Sequence, residues 1–491
     1  MDDHEQLRER ALRALAAAPT GCLVGADFGA ASSGRTFGVE NPATGGELVQ
    51  VADCGREDGE RALSVAWEAQ RRWAATAPRE RAELLLALHG RILERRDEFA
   101  ALMTLEMGKP LAEAHTEVTY GAEFLRWFSE EAVRINGRTT VTPEGNLRVW
   151  TMRRPVGPVL AITPWNFPLA MATRKLGPAL AAGCVGILKP SVLTPLTALA
   201  FGQACREVGI PEGVVQVLPT SDAPAVTGPM IQDQRLRKLS FTGSTSVGRK
   251  LLREAADNVL RTSMELGGCA PFIVFEDADL QRAVEAARIT KLRNVGEACN
   301  AANTFYVHHG LAEEFAARLA AEFDSLVIGD GLRPEVQVGP LISAQQRERI
   351  RDLVDDATTR GARVLTRGEV PGGGHFLRPT VLAGVPHDAA IAVNEIFGPV
   401  APVVAFEDES EVLGWANASA FGLAGYVHTT SIERALRMAE GLEVGMIGIN
   451  SATISNVAAP FGGIKHSGLG REGGSEGIEE YLETVYAGLP T

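Results

Sequence analysis

The spacing of apolar positions changes along the chain, and the changes mark its regions. From about residue 57 to 136 the helical period dominates. Between Arg79 and Arg95, for example, Leu84, Leu85, Leu88 and Ile92 fall at i, i+1, i+4 and i+8 on one face, while Arg81, Glu83, Arg91 and Glu94 lie between them. Ahead of this block, residues 5 to 17 read as a helix rich in Leu, Ala and Arg. Residues 35 to 53 read as two short strands joined at Asn41-Pro42-Ala43-Thr44-Gly45. Residues 139 to 154 are extended and polar, with Pro143-Glu144-Gly145-Asn146 as a hairpin turn.

Beyond that hairpin, apolar runs at 155–163, 184–188, 213–218 and 238–242 are each followed by a helix-like segment. Strand–helix alternation implies parallel βαβ units and a doubly wound sheet. A second alternating series fills about 270 to 450, with Thr304-Phe305-Tyr306-Val307, helices at 311–326 and 344–360, and Gly445-Met446-Ile447-Gly448-Ile449. The pattern predicts an α/β protein of two lobes. The polar hairpin and the C-terminal tail are left over, as subunit contacts or idle loops.

Composition narrows the partners. The 491 residues carry 48 Lys+Arg against 61 Asp+Glu, a formal charge of −13, with 45% apolar and 22% charged residues. That is globular composition, and its acidic balance gives no footprint for nucleic acid or an anionic membrane. Cys22, Cys54, Cys184, Cys205, Cys269 and Cys299 include no C-x-x-C pair, so reduced thiols are expected and no metal site is predicted. The start Met1-Asp2-Asp3-His4-Glu5 lacks a signal-peptide pattern, and apolar stretches such as Pro178 to Leu188 are far shorter than the roughly 20 residues that span a bilayer. A soluble cytoplasmic protein is expected.

Two glycine patterns need weighing. Gly468-Leu469-Gly470-Arg471-Glu472-Gly473 fits G-x-G-x-x-G, but only 18 residues follow it, too few for a dinucleotide-binding βαβ unit. Gly243-Ser244-Thr245-Ser246-Val247-Gly248-Arg249-Lys250 misses a Walker A loop, because Arg249 and Lys250 stand where Lys and Ser or Thr are required. The strand–turn–helix reading survives there, and free amides at a helix N-terminus suit a pyrophosphate or simply close a connection. Glu265, in Met264-Glu265-Leu266-Gly267-Gly268, is a carboxylate in an apolar setting, either a general base or a strand-end partner. Cys299 lies among small residues, reachable as a nucleophile or inert in the core. Asn166, in Thr163-Pro164-Trp165-Asn166-Phe167-Pro168, is an amide presented at a strand end or bonded to its own turn.

Taken together, these stretches resemble the aldehyde dehydrogenase superfamily over essentially the full chain. Glu395-Ile396-Phe397-Gly398-Pro399, Pro460-Phe461-Gly462-Gly463-Ile464-Lys465 and Ser467-Gly468-Leu469-Gly470-Arg471-Glu472 match as well, as does the 34-residue gap from Glu265 to Cys299. The resemblance implies a Rossmann-like cofactor domain (1–133 and 155–266), a catalytic domain (267–452), and a β oligomerisation arm with the tail (134–154 and 453–491). It implies a homodimer or homotetramer that uses NAD or NADP. By resemblance Cys299 attacks an aldehyde, Asn166 and the Cys299 amide hold the oxyanion, Glu265 activates water, and Lys175 and Glu472 assist proton movement. Thr163, Pro164, Trp165, Lys189, Ser191, Gly243, Ser244, Gly248, Leu266, Gly267, Glu395 and Phe397 fall at cofactor-binding positions.

Thr173-Arg174-Lys175, Lys291-Leu292-Arg293-Asn294 and Ile454-Ser455-Asn456 resemble succinate-semialdehyde dehydrogenases in particular. The resemblance implies that Arg174, Arg293 and Ser455 hold the far carboxylate of the substrate, consistent with the bidentate fork of a guanidinium. If the run from Arg293 to Cys299 is helical, the two stand about 9 Å apart. The substrate expected is succinic semialdehyde. Glutaric semialdehyde, a neutral aldehyde and a non-catalytic nucleotide-binding homologue are the alternatives. Four positions depart from the pattern. Val192 replaces the Glu that often bonds the adenine ribose, and with Lys189 nearby NADP is expected to be accepted. Glu297 replaces a common Gln and is expected to raise the thiol pKa unless it points away. Ala301 removes a second cysteine that some relatives use as a redox switch. Cys269 replaces Asn or Lys without a functional reading.

Overall fold

The computed structural model describes residues 3–491; Met1 and Asp2, which open the acidic start, lie outside the described residues. The helical block folds as four helices, Arg56–Ala75, Pro78–Glu94, Arg96–Met107 and Leu111–Ala132. The face read from Leu85, Leu88 and Ile92 is buried in the core of the first lobe. At the centre of that lobe, five parallel strands lie in the order Val215–Val217, Gly186–Lys189, Val159–Ile162, Lys238–Thr242, Arg261–Glu265. Chain order reverses between Val159–Ile162 and Lys238–Thr242, which makes this the doubly wound arrangement with its switch point there. Ligands bind outside the carboxyl ends of strands at such a point. The Thr163–Phe167 turn and the Gly243–Thr245 connection both leave the sheet at that place.

The second lobe has a seven-stranded sheet in the order Arg363–Val364, Thr380–Ala383, Val400–Phe406, Ala302–His308, Ala270–Val274, Ala424–His428, Met446–Ile449. All its pairings are parallel except the first. Because side chains alternate across a strand, Phe272 and Val274 enter one core layer and Ile273 the other. Both faces are covered, so these strands read as continuous apolar runs. The helices expected at 311–326 and 344–360 are His309–Asp324 and Ala344–Thr359. No helix among the described residues is long and apolar enough to cross a membrane.

The leftover segments have separate fates. Thr139–Val141, Leu147–Pro155 and Leu482–Pro490 form a three-stranded sheet, the last two paired antiparallel from Leu482↔Pro155 to Pro490↔Leu147. Of the rest of the tail, Phe461 packs into the core of the second lobe and Ile464–Lys465 pairs with Phe421–Gly422, while Gly468–Leu469 extends the sheet of the first lobe antiparallel to Arg261–Glu265. The tail is therefore not one unit with the arm. The rejected glycine pattern has its reason here: Gly468 has φ +136°, and a Cβ would sit 1.8 Å from the Met264 carbonyl oxygen. Its glycines seat Glu472 beneath the sheet rather than cradling a phosphate.

Candidate active site

Asn166 follows the strand Val159–Ile162 and precedes the helix Pro168–Ala182. Its Nδ2 donates to the Glu297 carbonyl at 2.9 Å, which ties the turn to the segment carrying Cys299. An amide nitrogen has two hydrogens, so one remains for a substrate oxygen. The helix Leu280–Leu292 ends before this segment, and Asn294, Val295 and Gly296 then take φ of 55°, 52° and 78°. The expected helical run from Arg293 to Cys299 is thus replaced by a left-handed turn, and the 9 Å estimate falls with it. A β-branched Val at positive φ is strained by about 1–3 kcal/mol. Asn294 Nδ2 offsets part of that cost by bonding the carbonyls of Asn166 and Glu297, each at 3.0 Å.

Beyond the turn, the Asn300 carbonyl accepts from Tyr426 Oη at 2.8 Å, and Asn300 Nδ2 donates to Ser455 Oγ at 3.0 Å. The Cys299 amide meets no backbone acceptor among the described residues, so it is free to donate to an oxyanion. Burial pushes the Cys299 thiol up to about 12, while Arg174 and Arg293 pull against it. Glu297 does not act on the thiol as expected. Its carboxyl accepts from the Ile342 amide at 3.2 Å, and burial raises its pKa well above the ordinary range. The carboxyl is turned onto another loop. Cys269 is uncharged, its thiol accepting from Asn303 Nδ2 at 3.1 Å and pushed up to about 12 by burial.

The opposite side of the site is a cluster of buried charges. Glu472 receives Lys175 Nζ on one oxygen at 2.6 Å and faces Arg174 Nε with the other at 2.5 Å. Burial alone would raise the Glu472 carboxyl, but Lys175 and Arg174 outweigh it and hold it below its ordinary value. Lys175 also donates to Ser240 Oγ at 3.1 Å, and burial lowers its pKa. Glu265 ends its strand with both carboxyl oxygens buried and without a protein partner among the described residues. Burial first, then the Glu472 charge, raises its pKa well above the usual range. A carboxyl so placed, once ionised, is a strong base.

Arg293 and Ser455 line a cavity of about 410 Å³ together with Tyr120, Phe167 and Thr453. The Arg293 guanidinium lies over the Phe167 ring at 4.9 Å and the Tyr120 ring at 6.0 Å. Arg174 is not part of that lining. It is 2% exposed, stacked on Phe461 at 4.1 Å, with Nη2 on Met171 Sδ at 3.2 Å. The predicted arginine pair is therefore divided, Arg293 open to the cavity and Arg174 already carrying an acid partner.

The crevice at the switch point gathers the predicted cofactor positions. Thr163 N donates to the Lys189 carbonyl at 3.1 Å, and Gly243 N to the Glu265 carbonyl at 3.0 Å. Ser191 Oγ accepts from Leu193 N at 3.2 Å. Ser244 caps the helix Thr245–Ala256, with its first turn facing solvent. Gly248 lets that helix approach Leu266, whose methyl would lie 2.4 Å from an added Cβ. Glu395 accepts from Gly268 N at 3.0 Å and is pushed by burial to about 7; Gly267 packs against its other oxygen. Trp165 and Phe397 meet edge to face at 5.4 Å, and Pro164 begins the turn. These residues fit a dinucleotide on two observations: Thr242 Oγ1 is buried without a partner, and Lys189 is a buried cation lowered to about 8 by burial alone.

The structure adds residues that the sequence pattern did not single out, namely Lys109, Glu113 and Glu117, which touch Asn166, Asn294 and the following helix. Glu113, Glu117 and Tyr120 recur at i, i+4 and i+7 on one helical face, a signal that was present but unassigned.

Comparison with known proteins agrees with this geometry. A model described as the aldehyde dehydrogenase family matches residues 28–486. A succinate-semialdehyde dehydrogenase of Paenarthrobacter nicotinovorans is 56% identical over 443 residues, covering 90% of this chain and 98% of the relative. A glutarate-semialdehyde dehydrogenase of Pseudomonas putida is 47% identical, covering 93% and 95%. A crystal structure of an NADP-dependent enzyme from E. coli superposes with a TM-score of 0.95 at 44% identity, over 96% of this chain and 98% of that one.

Proposed function

The chain belongs to the aldehyde dehydrogenase family, and we propose that it oxidises a short ω-oxo carboxylic acid, succinic semialdehyde above all, to the dicarboxylic acid. The observation that carries this substrate class is Arg293, a cation opening with Ser455 into one cavity, where the Ser455 hydroxyl accepts from Asn300, the residue after Cys299. The substrate carboxylate binds Arg293 and Ser455, and Arg174 adds its charge at the Cys299 end. The Cys299 thiol releases its proton to water and the thiolate sulfur bonds to the aldehyde carbon as the carbonyl π pair moves onto oxygen, while Asn166 Nδ2 and the Cys299 amide donate to the resulting oxyanion. NAD or NADP, when bound, supplies the acceptor for the hydride that leaves this carbon. Glu265 takes a proton from water, the oxygen attacks the thioester, and the carbon–sulfur bond breaks to release the acid. Lys175 and Glu472 carry the proton onward.

Lys189, with Val192 in place of a carboxylate, suits the 2′-phosphate of NADP, so both cofactors are accepted. Glutaric semialdehyde is a second reading, favoured by the cavity volume of about 410 Å³; one methylene in such a pocket discriminates by only about 10–200-fold. The exposed side chains of Val141, Trp150, Tyr486 and Leu489 on the three-stranded arm support a homodimer or homotetramer built through it. Succinic semialdehyde, glutaric semialdehyde and butanal assayed with each cofactor test the reading. The two carboxylated aldehydes are expected to exceed butanal in kcat/KM with either cofactor. Equal values for butanal overturn carboxylate recognition.

A further inference from the structure

We infer that Lys109 and Glu117 are positioning residues for the oxyanion donor, acting on Asn166 through its backbone. This rests on the reading of Asn166 given above. Lys109 leaves the left-handed Gly108 that ends the helix Arg96–Met107, and Glu117 stands on the helix Leu111–Ala132. The two form an ion pair with each side chain only 1% exposed. Lys109 Nζ also donates to the Asn166 carbonyl at 2.8 Å and lies over the Phe167 ring at 4.4 Å. Its three hydrogens are thereby spent on one carboxylate, one carbonyl and one aromatic face.

Glu117 completes the arrangement. Its Oε1 accepts from Leu169 N at 3.0 Å and Ala170 N at 3.2 Å. These are free amides in the first turn of the helix that carries Arg174 and Lys175. The Asn166 carbonyl has both lone pairs occupied, by Lys109 Nζ and by Asn294 Nδ2 at 3.0 Å. With the carbonyl held on one side and Nδ2 anchored to Glu297 on the other, the Asn166 backbone is fixed and its amide keeps one N–H free to donate to the oxyanion. Asn294 joins the same network to the Cys299 segment, its own amide bonded to Glu113 at 2.7 Å. Donor and nucleophile therefore move as one unit.

Stability does not account for the pair. Desolvating two charges costs more than a packed apolar pair of the same volume, and buried ion pairs are often replaceable without loss. What an apolar pair would not supply is the directed bond to the Asn166 carbonyl and the cap on Leu169 and Ala170.

The test is a double-mutant cycle in the full-length enzyme, read as kcat/KM with whichever aldehyde it turns over best. Lys109→Met is expected to lose about 30–300-fold, in the range of an oxyanion donor set out of place. The same change in an Asn166→Ala background is expected to lose less than about 3-fold, because the group it orients is gone. KM for the cofactor should stay within about 2-fold, and Lys109→Arg should recover part of the rate. Glu117→Gln keeps an acceptor for Leu169 and Ala170 but removes the charge that fixes Lys109. It is expected to show a smaller loss with the same dependence on Asn166, and it decides the matter if Lys109→Met does not fold. Equal losses in both backgrounds overturn the proposal. So does full activity of Asn166→Ala alone, which removes the oxyanion role itself. Failure of the substrate reading stays distinguishable, because it alters the order of the aldehydes and leaves the coupling to Asn166 intact.

Discussion

The two sides of Cys299 use buried charge in opposite ways. On one side, Glu265, Glu472, Arg174 and Lys175 crowd together, yet both oxygens of Glu265 lack a protein partner among the described residues. On the other, the backbone carbonyls of Asn166 and Glu297 each accept twice, from Lys109 and the Asn166 and Asn294 amides, although the side-chain oxygens of Asn166 and Asn294 have no partner among the described residues. A group that must exchange protons with water needs unfilled coordination and a pKa moved toward neutrality. A backbone that must hold its place needs its carbonyls filled. Reactivity and rigidity are separated by the width of the thiol loop.

The contrast is broken most severely at Glu265. Glu265→Gln should cut steady-state turnover by about 10²–10⁴-fold, the range of a lost general base. Because hydride leaves before water attacks, about one equivalent of reduced cofactor per site should still form in the first turnover. Stopped-flow absorbance checks this, and absence of the burst would move Glu265 ahead of hydride transfer. Asn166→Ala on the positioning side should lose about 10²–10³-fold, and there the burst rate itself should fall. Measuring both variants in one experiment separates the two sides by the step they slow.

A smaller effect is expected at the outer cavity. Arg293→Ala should raise KM for succinic semialdehyde about 10–100-fold, the worth of a charge-assisted hydrogen bond of about 1.5–3 kcal/mol. KM for butanal should scarcely move. A change in thiol ionisation would affect both substrates alike, so the difference isolates carboxylate binding.

The smallest effect belongs to Glu297. In the unfolded chain this carboxyl ionises near its ordinary 4.5, whereas burial raises its pKa in the fold. Folding therefore takes up a proton, and stability falls as pH rises above the ordinary carboxylate range, by at most about 1.4 kcal/mol per pH unit. Glu297→Gln removes that term. Its Tm should exceed the parent's by a margin that grows from pH 5 to 8, while the two pH–rate profiles superimpose. A shifted profile would return Glu297 to the thiol's electrostatics.

Much of the site was legible because its signals are local. The strand ends at Ile162 and Glu265, the proline-bounded turn around Asn166 and the small residues about Cys299 are short-range chemistry, and they lie where the pattern put them. The rejection of Gly468-Leu469-Gly470-Arg471-Glu472-Gly473 as a phosphate loop was also legible, from the length of chain after it. The left-handed turn at Asn294 and Val295 was not, since its bonds come from Asn166 and Glu297 rather than from local preference. Nor was the partner of Lys175, which lies 297 positions away at Glu472.

Local patterning thus settled the two α/β lobes, and charge counting the acidic balance of −13. Periodicity, strand-end chemistry and charge counting need no knowledge of distant contacts. Which arginine faces the cavity, where the Glu297 carboxyl turns and how Asn166 is held were settled by packing. Each depends on a neighbour brought from far along the chain and on how completely that neighbour excludes water.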